Sequence, residues 1–82
     1  MKYITTETED GVRDIFTFSS NIDHDAMAES LTRIRDKTHG DWKRVTRTPI
    51  SAGFVKNGIC FGSSMTLGLQ SDEGDTALLR NQ

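Results

Sequence analysis

The sequence predicts an α+β fold in which a mixed or antiparallel β-sheet packs against one long helix. Three observations predict it: an Asp-Gly dipeptide between alternating segments, an Asn-Gly dipeptide between two apolar segments, and one apolar stripe at helical spacing. The predicted element order is ββαβββ with a short tail. We expect residues 1–82 to form a single domain.

The first predicted element is a β-hairpin over residues 2–19. Its first half is rich in strand-favouring residue types, and Asp10-Gly11 is a dipeptide typical of tight hairpin turns. The residues that follow, up to Phe18, alternate in a pattern that favours a second strand.

The helix is predicted over residues 22–38. Met27, Leu31 and Ile34 lie at positions i, i+4 and i+7, which places them on one face of a helix. Cations occupy the last predicted turns, where they complement the helix dipole, and Gly40 suits the position just after a helix.

The second half of the chain is predicted to be mainly strand. Residues 42–48 alternate, and Pro49 either interrupts this strand or places it at a sheet edge. The Asn-Gly turn predicts a hairpin formed by residues 50–55 and 58–61. Residues 76–79 predict a terminal helical turn.

Length and charge limit the function. A chain of 82 residues with a hydrophobic fraction of 34% has a thin core, which suits a small enzyme or a dimerising module. With 10 basic and 12 acidic residues, it lacks the basic excess of proteins that bind nucleic acids by bulk electrostatics. Without an apolar run long enough for a signal peptide or a membrane span, we expect a cytoplasmic protein.

Basic residues are concentrated between positions 33 and 47. This segment is either a solvated helix and strand face or a docking patch for an acidic or phosphorylated partner. The candidate partner-binding residues are Arg33, Arg44 and Arg47.

The number and spacing of cysteine and histidine residues argue against metal and thiol chemistry. Cys60 is the only cysteine and lies in a predicted half-buried strand, so we interpret it as a structural thiol. The chain has no Cys/His spacing typical of a metal site. We therefore expect no metal and no cofactor.

His24 is the first candidate for acid–base chemistry because it stands at the start of the predicted helix. One interpretation is an exposed histidine in the first turn. The other is a base at a helix N-terminus, where the helix dipole opposes imidazolium and Asp23 and Asp25 favour it.

A glycine- and serine-containing turn is the second candidate. Successive backbone N–H groups in such a turn can converge on an anion, and hydroxyl groups can add donors, although most such turns only connect strands. The candidate phosphate-binding residues are Gly62, Ser63, Ser64, Met65 and Thr66.

Four segments of this chain have counterparts, in the same order, in one known group of proteins. They are Lys2-Tyr3, His24 with its helix, Ile50-Ser51, and residues 61–68, which read FGSSMTLG. In them the chain resembles the Janus/Ocnus family, which includes the protein phosphohistidine phosphatases. That family has a mixed sheet flanked by helices, a histidine that begins a helix, and a phosphate loop of pattern aromatic-Gly-x-Ser-Met-x-x-Gly.

The resemblance implies a role for each matching residue. His24 would be the catalytic base, Lys2 a basic residue at the site, and the backbone amides of Ser64, Met65 and Thr66 would hold phosphate. We expect the side chain of Met65 to pack. The family's second-strand basic residue has only Arg13 as a shifted counterpart, and Pro49 replaces a basic residue before the Ile-Ser pair.

The resemblance implies a small phosphoryl-binding protein that acts on a phosphorylated protein or a small phospho-ligand. It would hydrolyse phosphohistidine or a related phosphoramidate without a metal. Two alternatives stay open. One is a non-catalytic protein-binding module, such as a phage-type accessory or inhibitor protein, that uses the basic surface. The other is a ligand-sequestering protein that uses the same loop.

Overall fold

A computed structural model describes residues 1–32, 35–38, 41–44 and 46–81. In these residues the chain forms antiparallel sheets and two short helices, which confirms the predicted α+β class. The elements are β1 (Lys2–Thr8), β2 (Arg13–Phe18), α1 (His24–Thr32), β3 (Arg35–Thr38), β4 (Asp41–Arg44), β5 (Arg47–Lys56), β6 (Ile59–Phe61), β7 (Ser63–Ser64), β8 (Leu69–Gln70) and α2 (Asp75–Arg80).

The main sheet has four antiparallel strands in the order β2-β1-β5-β6. Both predicted hairpins are confirmed, because β1 pairs with β2 and β5 pairs with β6. Between β5 and β6, Asn57 and Gly58 have φ angles of 54° and 75°. These positive values at both central residues are those of a type I′ turn, whose twist matches that of the strands it joins.

Of the two alternatives for Pro49, the interruption of a strand over residues 42–48 is wrong. The sheet-edge alternative agrees with the pairing among the described strands, because β6 pairs only with Phe54, Val55 and Lys56 of β5. β4 ends at Arg44, and β5 runs through Pro49 from Arg47. The register shifts at this point, because Thr5 pairs with Ser51 whereas Thr6 pairs with Pro49. A bulge is a position where a strand tolerates a residue without an N–H donor.

The long helix and the ββαβββ order are also wrong. α1 ends at Thr32, and the antiparallel pair β3 and β4 follows, with Asp36 at the register position opposite Lys43. The third residue of the predicted stripe, Ile34, lies outside the described residues. The helix signals in this segment were local, and the pairing of β3 with β4 overrides them.

The two helices cover opposite faces of the main sheet. Ile4, Phe18 and Ala52 form the core with Ala28 and Leu31 of α1. Side chains alternate between faces along a strand, so the odd-numbered residues of β1 face the α2 side. This arrangement brings the start of α1 to the end of the sheet where β1 begins.

Candidate functional site

A surface pocket of about 520 Å³ lies beside the start of α1. We call it the site pocket. It is lined by Lys2, Asp23, His24, Phe54 and residues 61–66. Lys2, His24 and residues 62–66, which sequence reasoning selected from three separate segments, therefore lie around one pocket.

His24 is buried, with 5% of its surface exposed, so the interpretation as an exposed first-turn residue is wrong. Its Nε2 atom lies 2.9 Å from the carbonyl oxygen of Gly53. A carbonyl oxygen only accepts hydrogen bonds, so Nε2 carries a hydrogen and donates it. In the neutral ring, Nδ1 is then the nitrogen that can accept a proton.

Aromatic side chains fix the plane of the His24 ring. The ring centroids of Phe18 and Phe54 lie 5.5 Å and 5.7 Å from that of His24, both in edge-to-face geometry. Such pairs favour one orientation over a free ring. The imidazole is therefore held by the hydrogen bond at Nε2 and by its edge-to-face contacts with Phe18 and Phe54.

Lys2 is the only cation among the residues that line the site pocket. Its Nζ donates a 3.0 Å hydrogen bond to the carbonyl oxygen of Ile22 and lies 3.9 Å from a carboxylate oxygen of Asp23. These contacts tie β1 to the segment that leads into α1. They hold a positive charge at the pocket wall, partly balanced by Asp23.

The loop that closes the other side of the pocket is ordered by Ser64. This side chain is buried, accepts a hydrogen bond of 3.3 Å from the Leu67 N–H, and lies 3.2 Å from the Thr66 hydroxyl. Gly62 and Gly68, with φ angles of 82° and 66°, make bends on either side of Ser64. We call residues 62–66, the predicted phosphate-binding residues, the anion loop.

The backbone amides of the anion loop are not equivalent. The Ser71 N–H donates to the Gly62 carbonyl, so the alternation of an antiparallel pair makes Ser64 and Leu69 the next hydrogen-bonded pair. The Ser64 amide is therefore occupied, contrary to the role expected for it. The amides of Met65 and Thr66 have no hydrogen-bond partner within the described part of the chain.

The remaining wall of the site pocket is apolar. The rings of Phe54 and Phe61 lie 6.1 Å apart, and Phe61 is 46% exposed. The side chain of Met65 is 95% exposed, so the expectation that it packs is wrong. Lys2 and the residues of the anion loop thus lie beside an aromatic surface in one pocket.

The other predicted site residues lie elsewhere. Arg13 lines a second pocket of about 350 Å³ and donates a 3.0 Å hydrogen bond to Glu7. Arg47 is buried, with its guanidinium 5.7 Å from the ring centroid of Phe16, so it cannot belong to an exposed basic surface. Arg44 lies on β4, and Arg33 lies outside the described residues.

Sequence reasoning missed a buried carboxylate on the α2 side of the sheet. Asp75 accepts hydrogen bonds from the Tyr3 hydroxyl at 2.5 Å, the Ser51 hydroxyl at 2.9 Å, the Thr5 hydroxyl at 3.1 Å and the Asp72 N–H at 2.9 Å. Ser51, half of the Ile-Ser pair in the resemblance, therefore belongs to this network rather than to the site pocket.

Cys60 fits the predicted structural role. It is half-buried, and its backbone N–H donates a 3.0 Å hydrogen bond to the Thr76 hydroxyl. Burial raises the pKa of its thiol, which favours the protonated, unreactive form.

No protein-family model, curated protein or solved structure matches the chain. Within the described ranges, no three histidine, cysteine or acidic side chains are grouped as a metal site would require. None of the helices there is long and apolar enough to cross a membrane.

Proposed function

We propose that the protein binds a phosphoryl group in the site pocket and hydrolyses the P–N bond of a phosphoramidate. One observation carries this proposal: Lys2, His24 and the anion loop, which are distant in sequence, line the same pocket. It also supports the proposed kinship with the Janus/Ocnus family, whose motifs pointed to these residues.

The binding chemistry follows from the free donors. The amides of Met65 and Thr66 have no partner in the described part of the chain, and N–H groups in a turn can hold the oxygens of an anion. The ammonium group of Lys2 adds positive charge at the same pocket. Together these groups suit a phosphoryl group, and the charge that develops on its oxygens during reaction is stabilised by the same donors.

His24 supplies the proton chemistry. A water oxygen attacks phosphorus while Nδ1 of the imidazole takes a proton from that water. The P–N bond breaks, its electron pair stays on nitrogen, and the proton held by Nδ1 passes to the leaving nitrogen, which returns His24 to its neutral form. The products are phosphate and the free amine. The bond from Nε2 to the Gly53 carbonyl orients the ring for this step.

A second function is binding of a phosphorylated protein without hydrolysis. Phe61 and Met65 support it, because they expose apolar surface beside the anion loop. A phosphorylated side chain would enter the pocket, and an apolar neighbour in the partner would cover these two residues.

Nuclear magnetic resonance tests the binding step. Inorganic phosphate is titrated into the protein, and the backbone amide signals of the anion loop are followed. We expect the Met65 and Thr66 amide signals to move most, and the Ser64 amide signal to move least because its N–H is already paired. Movement of none of these signals would contradict the proposal.

Hydrolysis of phosphoramidate in the presence of EDTA tests the chemical step. We expect His24→Gln to lower kcat by about 10²–10⁴-fold, the usual contribution of a general base. The glutamine amide can still donate to the Gly53 carbonyl, so phosphate affinity should persist. Phosphate binding without hydrolysis by the unaltered protein would support the second function instead.

A further inference from the structure

Two contacts that build the site pocket meet at Gly53. Its carbonyl oxygen accepts the hydrogen bond from Nε2 of His24. On its other side, an added Cβ would lie 2.3 Å from the carbonyl oxygen of Phe61 and 3.3 Å from the carbonyl carbon of Gly62. The backbone that enters the anion loop therefore passes where any other residue would carry a side chain.

We infer that Gly53 is the positioning residue of the site pocket, because it sets the His24 ring and the anion loop relative to each other. The inference rests on the proposed function. Gly53 does not contact the reacting atoms. It acts through His24 on one side and through the Phe61–Gly62 backbone on the other.

Position 53 requires glycine because there is no space for a side chain, not because of its backbone conformation. Gly53 does not have the positive φ angle that Asn57 and four other glycines show among the described residues. It lies buried within β5, where an alanine would normally be tolerated or preferred. A real Cβ does not approach within 3.0 Å of a neighbouring atom, so alanine here must displace the backbone of Phe61.

The displacement acts on the reaction through geometry. The anion loop begins directly after Phe61, so a shift of that backbone carries the Met65 and Thr66 amides away from their positions relative to His24. A misplacement of about 1 Å at an active site can lower the rate roughly 10²-fold. A stable site therefore needs the absence of a side chain at this position.

The test compares Gly53→Ala with Gly74→Ala. Gly74 has an ordinary helical φ of −76°, and an added Cβ there would make only van der Waals contact at 3.4 Å. Gly74 is not among the residues that line the site pocket. We expect Gly53→Ala to lower kcat/KM for phosphoramidate by roughly 10²-fold. We also expect it to shift the Met65 and Thr66 amide signals, whereas Gly74→Ala should leave both unchanged.

A second readout separates positioning from general stability. ¹⁵N spectra of the neutral imidazole distinguish a ring with hydrogen on Nε2 from one with hydrogen on Nδ1. We expect the unaltered protein to show the Nε2–H form of His24, and Gly53→Ala to show a mixture. An Nδ1–H form in the unaltered protein would overturn the inference even if the variant failed to fold.

The two proposals fail in different ways. If phosphate moves no amide signal of the unaltered protein, the proposed function is wrong. If phosphate binds and phosphoramidate is hydrolysed, but Gly53→Ala keeps the parental rate, tautomer and loop signals, Gly53 is not the positioning residue.

Discussion

The hydroxyl of Tyr3 donates a 2.5 Å hydrogen bond to Oδ2 of Asp75, joining residues 72 positions apart. Tyr3 lies in the central strand β1, and Asp75 is the first residue of α2. Two further hydroxyls and one backbone N–H complete the surroundings of the carboxylate. A buried carboxylate with four donors is stable, whereas the same group without them would carry a large desolvation cost.

We expect Asp75→Asn to destabilise the fold by about 2–3 kcal/mol, because the amide NH₂ group would face donors that need an acceptor. Urea unfolding followed by circular dichroism measures this change. Glu73→Gln is the matched control, since it makes the same change at an exposed residue and should alter the free energy of unfolding by under about 0.5 kcal/mol. Equal stability of the two variants would contradict the role of Asp75.

Tyr3 should remain protonated in the folded protein at pH values where tyrosine normally ionises. Burial, followed by the hydrogen bond to Asp75, raises its pKa well above the ordinary value. Tyr3 is the only tyrosine, so absorbance of tyrosinate near 295 nm reports on it alone. We expect this absorbance to appear only as the protein unfolds.

The raised pKa of Tyr3 makes the folded protein less stable as the pH rises above 10. The folded state keeps the Tyr3 proton above pH 10, where the unfolded chain loses it. The contribution of Tyr3 is therefore complete below about pH 10 and decreases above it, by about 1.4 kcal/mol per pH unit. Tyrosinate absorbance that titrates near pH 10 in protein still folded by circular dichroism would contradict this prediction.

Ser64→Ala should weaken phosphate binding by loosening the anion loop, although its own amide is paired. The alanine would remove the acceptor for the Leu67 N–H and the contact with the Thr66 hydroxyl. We expect a loss of about 1 kcal/mol in stability, typical of one hydrogen bond. Ser20→Ala is the matched control because Ser20 is exposed and lies outside the pocket lining. Calorimetric titration with phosphate should rank Ser20→Ala above Ser64→Ala in affinity.

Lys2→Met should lower phosphate affinity roughly tenfold, since it removes one charge-assisted contact. Lys56→Met removes the same charge from an exposed lysine at the end of β5, outside the pocket lining. We expect this control to retain the parental affinity. If both variants lost affinity equally, the effect would reflect net charge rather than a contact at the site pocket.

Turns and helix starts that depend on a few neighbouring residues were predictable from the sequence. Asn57-Gly58 requires positive φ angles that few other dipeptides supply, so its turn follows from two residues alone. A helix beginning near His24 was also predictable, because the chain before it is rich in helix-capping types and the apolar spacing after it is helical; the helix begins at His24 rather than at the predicted residue 22.

Contacts between residues that are distant in sequence were not predictable. Asp75 reads as an ordinary acid in the first turn of a helix, and nothing near it in sequence reveals that its donors lie on β1 and β5. From the sequence, Gly53 is only a residue that disfavours a strand. The close approach of the Phe61 backbone, which explains the glycine, is visible only in the folded structure. The end of α1 was mispredicted because the pairing of β3 with β4 overrides the local helix signals.

The carboxylate of Asp75 also determines when the chain can finish folding. During synthesis from the N-terminus, β1, β2 and β5 are complete long before α2 is made. Until residue 75 is available, the hydroxyls of Tyr3, Thr5 and Ser51 lack their common acceptor. Residues 1–75 must therefore all be synthesised before the hydroxyl groups on this side of the sheet have their acceptor. A nascent or shortened chain that stops before Asp75 would be an unfinished fold and a target for proteases.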